Sequence, residues 1–350
     1  MKNESQRILY LDLLRIISIM AVLMIHLEDS MIYSLPLGSL EWDISALVFS
    51  ACRWAVPIFF MISGALFLRK DSEHSLKEIY SHNIFHLITA FIFWSLIYTL
   101  VETPESLYFF AQKWIRGPFH FWFIFSMISI YILIPILRSI ANSKALDYYL
   151  LLGGIFTIFL PTCLENIGIL LSDFYQNPVF NSLYTDYHKL EMYPVLGYSF
   201  YFILGYKLSV TEFRKSTSFA IKILLPIGLI LTWLFSKYTS LQNGQVDERF
   251  FDYFTFNVFL QSIGIFESFR AMPLKKVSSE CRKIIATISH STFGVFLIHI
   301  LIKEFIRIRL PFDGIPMFFK PFIYWPIVYF ISLIISILLN KVTILRKTIV

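Results

Sequence analysis

The sequence is short of charge and of cysteine, and each shortage excludes a class of protein. Only 15% of its 350 residues are charged, whereas about one quarter are charged in soluble domains. The 57% that are hydrophobic favour an integral membrane protein instead. The three cysteines, Cys52, Cys163 and Cys281, are scattered and have neither an even count nor metal-ligand spacing, so they favour structural thiols over a disulfide framework or a metal site.

Long apolar runs dominate what is present. A helix needs ~20 residues to span ~30 Å of hydrocarbon, and about ten stretches of the chain approach that length. We predict an all-α, polytopic membrane protein with spans at residues 9–28, 44–68, 84–101, 119–140, 149–164, 193–210, 219–236, 251–271, 284–305 and 320–340. The fifth span is the least regular, because it is short and contains two glycines and a proline.

The chain shows no internal repeat, so the inverted halves of many transporters are not indicated. Little polar sequence flanks the first and last predicted spans, and we expect one membrane-embedded domain over residues 1–350. A cleaved signal peptide is not expected, because the first apolar run is as long as a full span and no small-residue cleavage motif follows it.

The distribution of Lys and Arg among the loops predicts the orientation. With the N- and C-termini both cytoplasmic, the cytoplasmic segments hold 19 Lys and Arg and the outer loops hold nine, which is the bias that cytoplasmic loops normally show. The formal charge of +6 reflects this bias and suits an anionic inner leaflet. Nucleic acid is not an expected partner, since it would require a soluble basic surface.

Two polar side chains interrupt the apolar first span. Arg15 and His26 are eleven residues apart, and eleven steps of ~100° return to within about 20° of the same helix face while rising ~16 Å. A charge inside a span costs at least ~2.5 kcal/mol and normally faces a polar cavity or a partner. Arg15 could equally extend to the inner interface or pair with Asp12, and His26 could be an ordinary interfacial histidine.

A second arginine, Arg53, falls in the outer half of the second predicted span, at about the depth of His26. Its position strengthens the indication of a polar site within the membrane. Glu28 or Asp43 could instead be a structural partner of Arg53. In the same span, Ser63 and Gly64 are most simply small residues that allow a close approach of helices.

These motifs resemble the acyltransferase type 3 family of membrane O-acyltransferases. The segments "YLDLLRIISIMAVLMIH", "RWAVPIFFMISGALFL" and "HFWFIFSMISIYILIPIL" resemble the first, second and fourth spans of that family. The resemblance continues in "YPVLGYSFYFILGYKL" and "ISHSTFGVFLIHILI", so it extends over nearly the whole chain. Ile16 departs from the pattern, because many members have glycine after the arginine.

The resemblance implies transfer of an acetyl or similar short acyl group from cytoplasmic acyl-CoA to a hydroxyl of a cell-surface or lipid-linked polysaccharide. It implies a bacterial cytoplasmic membrane protein with no bound cofactor and with acetyl-CoA as co-substrate. His26 would act as general base or nucleophile, because imidazole has an ordinary pKa near ~6.5. Arg53 would stabilise the oxyanion, and Arg15, with Asp12 beside it, would bind the donor.

Other polar residues are candidates for binding the acceptor sugar. His120 and Trp122 begin the fourth span and could supply a hydrogen bond and a stacking surface. An aromatic belt with an interfacial histidine explains them at least as well. The loop from Glu165 to Met192, rich in Tyr, Asn and Asp, is a candidate glycan surface, with a flexible connection as the competing interpretation.

Transport is the rival function. Ten spans with an intramembrane Arg, His and Arg would also suit a flippase or exporter of a lipid-linked sugar or another anionic glycan precursor. A purely structural subunit is a third alternative, which the intramembrane charges make less attractive. Release of free CoA from acetyl-CoA only in the presence of a hydroxyl acceptor distinguishes an enzyme from a transporter.

Overall fold

The computed structural model describes residues 8–69, 75–164 and 192–350. Within these ranges the regular elements are helices, and no strand occurs. Eight helical segments are apolar and at least 18 residues long, which is enough to cross a bilayer. The prediction of an all-α, polytopic membrane protein is therefore confirmed for the part of the chain that the structure describes.

The described residues form a succession of long helices joined by turns and short helices. In chain order the helices are α1 (Leu9–Ile32), α2 (Leu40–Cys52), α3 (Ala55–Phe67), α4 (Leu76–Glu102), α5 (Leu107–Arg116), α6 (Trp122–Ala141), α7 (Ala145–Leu164), α8 (Met192–Val210), α9 (Lys215–Asn243), α10 (Phe256–Arg270), α11 (Ser279–Arg309), α12 (Lys320–Lys341) and α13 (Thr343–Thr348).

The second predicted span, residues 44–68, is divided into α2 and α3 at Arg53 and Trp54. Pro57 accounts for the break, because it has no N–H and its ring would clash with the carbonyl of Arg53 in a continuous helix. The interruption leaves Arg53 at the C-terminal end of α2. A proline four residues after the arginine is thus the sequence signal for the break.

The eighth predicted span, residues 251–271, is shorter in the structure. A turn precedes α10, in which the carboxylate of Asp252 accepts a hydrogen bond of 2.7 Å from the amide of Phe254. The helix therefore begins only at Phe256. The turn leaves Tyr253 outside the helix and beside the cavities described below.

Helix α3 crosses α8 at very close range. A Cβ atom placed on Gly64 would lie 1.6 Å from the carbonyl oxygen of Phe202, and one on Gly205 would lie 2.1 Å from that of Met61. Any side chain at either position would therefore force the helices apart. The prediction that Gly64 allows close helix packing is confirmed.

Polar side chains join α9 to α10. The amide of Asn257 donates to the hydroxyl of Thr232 at 2.8 Å and to the carbonyl of Phe250 at 2.7 Å, and the amide of Gln261 donates to Thr232 at 2.7 Å. Hydrogen bonds of this kind stabilise helix pairs in lipid. Because one of them holds Phe250, they also fix the short turn Arg249–Phe251, which contacts Arg53.

Candidate active site

The first cavity is a pocket of about 890 Å³ along one face of α1. Arg15 and His26 both line it, with Val22 and Ile25 between them on the same helix. The prediction that the two polar side chains share one face is confirmed. The polar residues of its lining also include Ser81, His82, Asn83, His86, His290, Asn340, Arg346 and Thr348.

Arg15 is held at the wall of this cavity by neighbours on two helices. Its guanidinium lies 4.0 Å from the carboxylate of Asp12, one turn earlier in α1, and it donates to the hydroxyl of Ser289 at 3.4 Å. Ser289 in turn donates to Asp12 at 2.6 Å. Asp12 is buried and therefore orients Arg15, so pairing with Asp12 and exposure to the cavity occur together.

His26 is one of three histidines in mutual contact. The ring centroids of His26 and His299 are 5.3 Å apart, those of His120 and His299 are 5.2 Å apart, and those of His26 and His120 are 6.2 Å apart. His26 and His120 line the first cavity, whereas His299 contacts both rings from α11. The structure thus brings the predicted His120 beside His26.

His120 and His299 are 1% exposed each, and they have unused hydrogen-bonding capacity. Neither ring nitrogen of His120, and only one of those of His299, has a hydrogen-bond partner among the described residues. Phe121 and Phe296 pack against His120. Buried polar atoms without partners are costly, so the two histidines are candidates for a role beyond packing.

A second cavity, of about 640 Å³, lies on the other side of His26. Its lining shares Ile25, His26 and Tyr253 with the first cavity. The remaining residues come from α1, α2, α7 and the turns beside α6 and before α10: Asp29, Phe49, Arg53, Phe119, Pro161, Glu248, Arg249, Phe251, Asp252, Phe254 and Thr255. His26 therefore lies at the boundary of two cavities.

Arg53 lines the second cavity and is fixed by aromatic and backbone contacts. Its Nε donates to the carbonyl of Phe251 at 2.5 Å, and its guanidinium lies 4.4 Å from the ring centroid of Tyr253 and 5.0 Å from that of Phe49. The two alternative carboxylate partners are engaged elsewhere. Glu28 accepts from Ser45, and Asp43 pairs with Lys237 at 2.5 Å.

Trp122 faces the first cavity beside the boundary. Its indole stacks on Tyr198, with centroids 5.6 Å apart, and on Tyr253, with centroids 6.1 Å apart. Tyr253 borders both cavities, so the stack forms an aromatic surface next to His26. Flat aromatic surfaces of this kind suit the apolar face of a sugar ring.

Carboxylates concentrate in the second cavity, where Asp29, Glu248 and Asp252 line the wall. Burial and the nearby charge of Asp29 raise the pKa of Glu248 above its usual value. The pKa of Asp247, which does not line the cavity, shifts in the opposite direction. Burial would raise its pKa, but hydrogen bonds from Arg249 outweigh burial and hold the pKa below the usual value.

The segment after α12 turns back into the bundle and completes the wall of the first cavity. Thr348 and Val350 line that cavity. The hydroxyl of Thr89 donates to the carbonyl of Thr348 at 2.5 Å, and the indole of Trp94 donates to the carbonyl of Ile349 at 2.8 Å. Gly294 leaves room for the segment, since a Cβ there would lie 2.5 Å from the side chain of Val350.

Sequence reasoning missed several residues of the site. Tyr253 and Ser289 contact Arg53 and Arg15 across sequence separations of 200 and 274 residues, and local patterns carry no signal for such contacts. His299 was visible as a polar residue in the apolar segment "FGVFLIHILI". The candidate glycan loop, from Glu165 to Met192, lies outside the described residues except for its last residue.

The fold and the two cavities define the class of protein: a polytopic helical membrane protein with a histidine at the boundary of two cavities. Residues 8–341 match the model of the acyltransferase domain family known as acyltransferase 3. The chain belongs to this family and is a membrane acyltransferase. No curated protein and no solved structure matches the chain.

Proposed function

We propose that this protein transfers an acetyl or similar short acyl group from cytoplasmic acyl-CoA to a hydroxyl of a cell-surface or lipid-linked glycan. The observation that carries the proposal is that His26 lines both cavities. A donor in one cavity and an acceptor in the other would each reach the same imidazole. Because His26 is inside a span, the acyl group would pass between the two sides of the membrane at this residue.

The first cavity suits the donor. Under the predicted orientation, with both termini cytoplasmic, its Arg15 end opens to the cytoplasm. The ~16 Å rise from Arg15 to His26 is on the order of the length of a pantetheine arm. Arg15 and Arg346 both line this cavity, and their positive charge favours the phosphates of CoA. Asp12 assists indirectly by orienting Arg15.

In the reaction at the boundary, the acyl group moves from the sulfur of the thioester to the oxygen of the acceptor hydroxyl. His26 removes the proton of the acceptor hydroxyl while the oxygen attacks the thioester carbonyl. Arg53 stabilises the negative charge that develops on the carbonyl oxygen. When the carbon–sulfur bond breaks, the thiolate leaves and takes the proton from His26. A covalent relay, in which His26 itself accepts the acyl group before the glycan does, is the alternative route.

The second cavity and the aromatic surface suit the acceptor. The carboxylates of the second cavity would accept hydrogen bonds from sugar hydroxyls, and Tyr253 borders that cavity. Trp122 and His120, which line the first cavity beside His26, would contact the part of the sugar that reaches the boundary. The motifs resemble those of the O-acetyltransferase of enterobacterial common antigen, which supports acetyl as the group. We place the protein in the bacterial cytoplasmic membrane, with the bilayer, acyl-CoA and a glycan as its partners.

The test uses purified protein in lipid vesicles with acetyl-CoA. We expect release of free CoA to depend on an added surface-glycan fraction, isolated from a strain that lacks this chain. The glycan should gain the mass of one acetyl group at each modified site. Repeated turnover of acetyl-CoA in the absence of the glycan, or unmodified glycan moved across the vesicle membrane, would contradict the proposal.

A further inference from the structure

A backbone hydrogen bond fixes which ring nitrogen of His299 carries the proton, and the reaction described above gives this residue no role. Its Nδ1 lies 2.7 Å from the carbonyl oxygen of Phe296. A carbonyl only accepts hydrogen bonds, so Nδ1 carries the proton and Nε2 carries a free lone pair. The backbone of α11 therefore makes His299 a hydrogen-bond acceptor toward its surroundings.

That acceptor is buried and has no hydrogen-bond partner among the described residues. Leaving a buried acceptor unpaired costs about 1–3 kcal/mol, and such groups in folded proteins usually have a functional reason. The ammonium of Lys303 does not supply the missing hydrogen bond to Nε2. Lys303, one turn further along α11, donates to the backbone carbonyl of His26 at 3.3 Å and pairs with Glu304 at 3.2 Å.

The imidazoles of His26 and His120 are the neighbours that can supply it, and the centroid of His120 lies 5.2 Å from that of His299. Of the two, His26 lines both cavities, so we assign the hydrogen bond to His26. The centroids of His26 and His299 are 5.3 Å apart with an interplanar angle of 32°. Two imidazoles joined by an N–H···N bond of about 3 Å have centroids roughly 5 Å apart. The separation of the two rings is therefore that of a hydrogen-bonded pair, and the bond requires the His26 nitrogen to face Nε2 of His299.

We propose that His299 is the positioning residue for His26. Its Nε2 accepts a hydrogen bond from one ring nitrogen of His26, which leaves the other nitrogen unprotonated and directed to the acceptor hydroxyl. When His26 takes the hydroxyl proton, the same bond stabilises the imidazolium. His299 keeps its own Nδ1 proton throughout, and the proton gained by His26 leaves with the thiolate. This inference rests on the proposed function.

Two substitutions of His299, for which we expect different activities, test the positioning role. His299→Gln retains an acceptor on a polar side chain, whereas His299→Phe retains an aromatic ring without one. We expect His299→Phe to lower kcat at least about tenfold, as loss of an orienting partner typically does, with little change in the KM for acetyl-CoA. His299→Gln should retain clearly more activity than His299→Phe.

A purely structural role predicts the reverse order, because Phe suits a buried aromatic environment better than Gln does. Tyr98→Phe is the matched control. Tyr98 donates to the carbonyl of Leu297 at 3.0 Å and packs on His120, so its replacement disturbs the same turn of α11 without removing an imidazole. We expect its kcat to stay within about twofold of the unmodified protein.

The measurement is steady-state acetyl transfer from acetyl-CoA to the surface-glycan fraction, with vesicles that contain equal amounts of each protein. Higher activity of His299→Phe than of His299→Gln, or equal loss in Tyr98→Phe and His299→Phe, would overturn the positioning role. No transfer by the unmodified protein would instead contradict the proposed function, so the two failures are distinguishable.

Discussion

The two cavities that meet at His26 differ in charge and in construction. The first is lined mainly by continuous helices, and its polar side chains include histidines, amides, hydroxyls and two arginines. The second is built largely from turns and helix ends, and it carries three carboxylates. A polyanionic donor suits the first cavity, and a polyhydroxylated acceptor suits the second. Under the proposed function, the two sides of one imidazole would therefore serve different reactants.

The largest effect is expected at the boundary itself. His26→Gln retains a polar side chain but cannot take a proton at neutral pH. We expect kcat to fall at least about 100-fold, with little change in acetyl-CoA affinity, because the donor contacts in the first cavity remain. Transfer assays and isothermal titration with acetyl-CoA measure the two quantities. Near-normal acylation at equal protein level would make His26 an interfacial structural residue.

Arg53 belongs to the second cavity alone, so its replacement should affect the two reactants unequally. Arg53→Gln should lower kcat roughly tenfold to 100-fold, since the oxyanion loses a fixed positive charge. Arg53→Lys should restore part of this loss. The affinity for acetyl-CoA should not change. A weaker donor affinity with unchanged kcat would place Arg53 in donor binding and remove the distinction between the cavities.

Arg15 should show the opposite pattern. Arg15→Ala is expected to weaken acetyl-CoA binding about tenfold, the size of one charge-assisted contact. Arg15→Lys should rescue only partly, because a point charge replaces a planar fork. Asp12→Asn should have a smaller effect, since Asp12 acts through Arg15 and Ser289. Unchanged donor affinity in folded Arg15→Ala would leave pairing with Asp12 as the role of Arg15.

The smallest effect concerns the rim of the second cavity. Asp247 holds Arg249 in an ion pair, and we expect Asp247→Asn to lower the free energy of unfolding by at most about 1 kcal/mol at pH 7. Because the pKa of Asp247 is lowered in the folded protein, this stabilisation is present at neutral pH. It decreases progressively as the pH falls below the ordinary aspartate pKa of about 4 toward the lower pKa of the folded protein. Thermal unfolding of both proteins from pH 7 to pH 3 checks it, and a difference at pH 3 as large as that at pH 7 would contradict the ion pair.

Much of the fold could be predicted from the sequence, because lipid imposes a simple requirement of long apolar helices. The face shared by Arg15 and His26 followed from helical periodicity alone. Pro57 is a sequence signal for the helix break at Arg53, but the prediction of one continuous span at residues 44–68 did not take it into account. The late start of α10 depends on a local turn at Asp252, which composition does not reveal.

The site was less predictable because it is assembled across helices. The ring contact between His26 and His299 joins α1 to α11, and the hydrogen bond from Arg15 to Ser289 joins the same two helices. Periodicity shows which face of a helix a side chain occupies, but it does not show which residues the side chain contacts. The sequence therefore identified the residues on α1, and the packing identified their partners.

The most direct test of the account is the sidedness of acyl transfer. Vesicles with the protein in one known orientation receive labelled acetyl-CoA on one side and the surface-glycan fraction on the other. We predict labelled glycan only when the donor is on the side to which the Arg15 end of the first cavity opens and the glycan is on the opposite side, with at least about 100-fold less label for His26→Gln. Transfer that requires donor and glycan on the same side would contradict a reaction at the boundary of the two cavities.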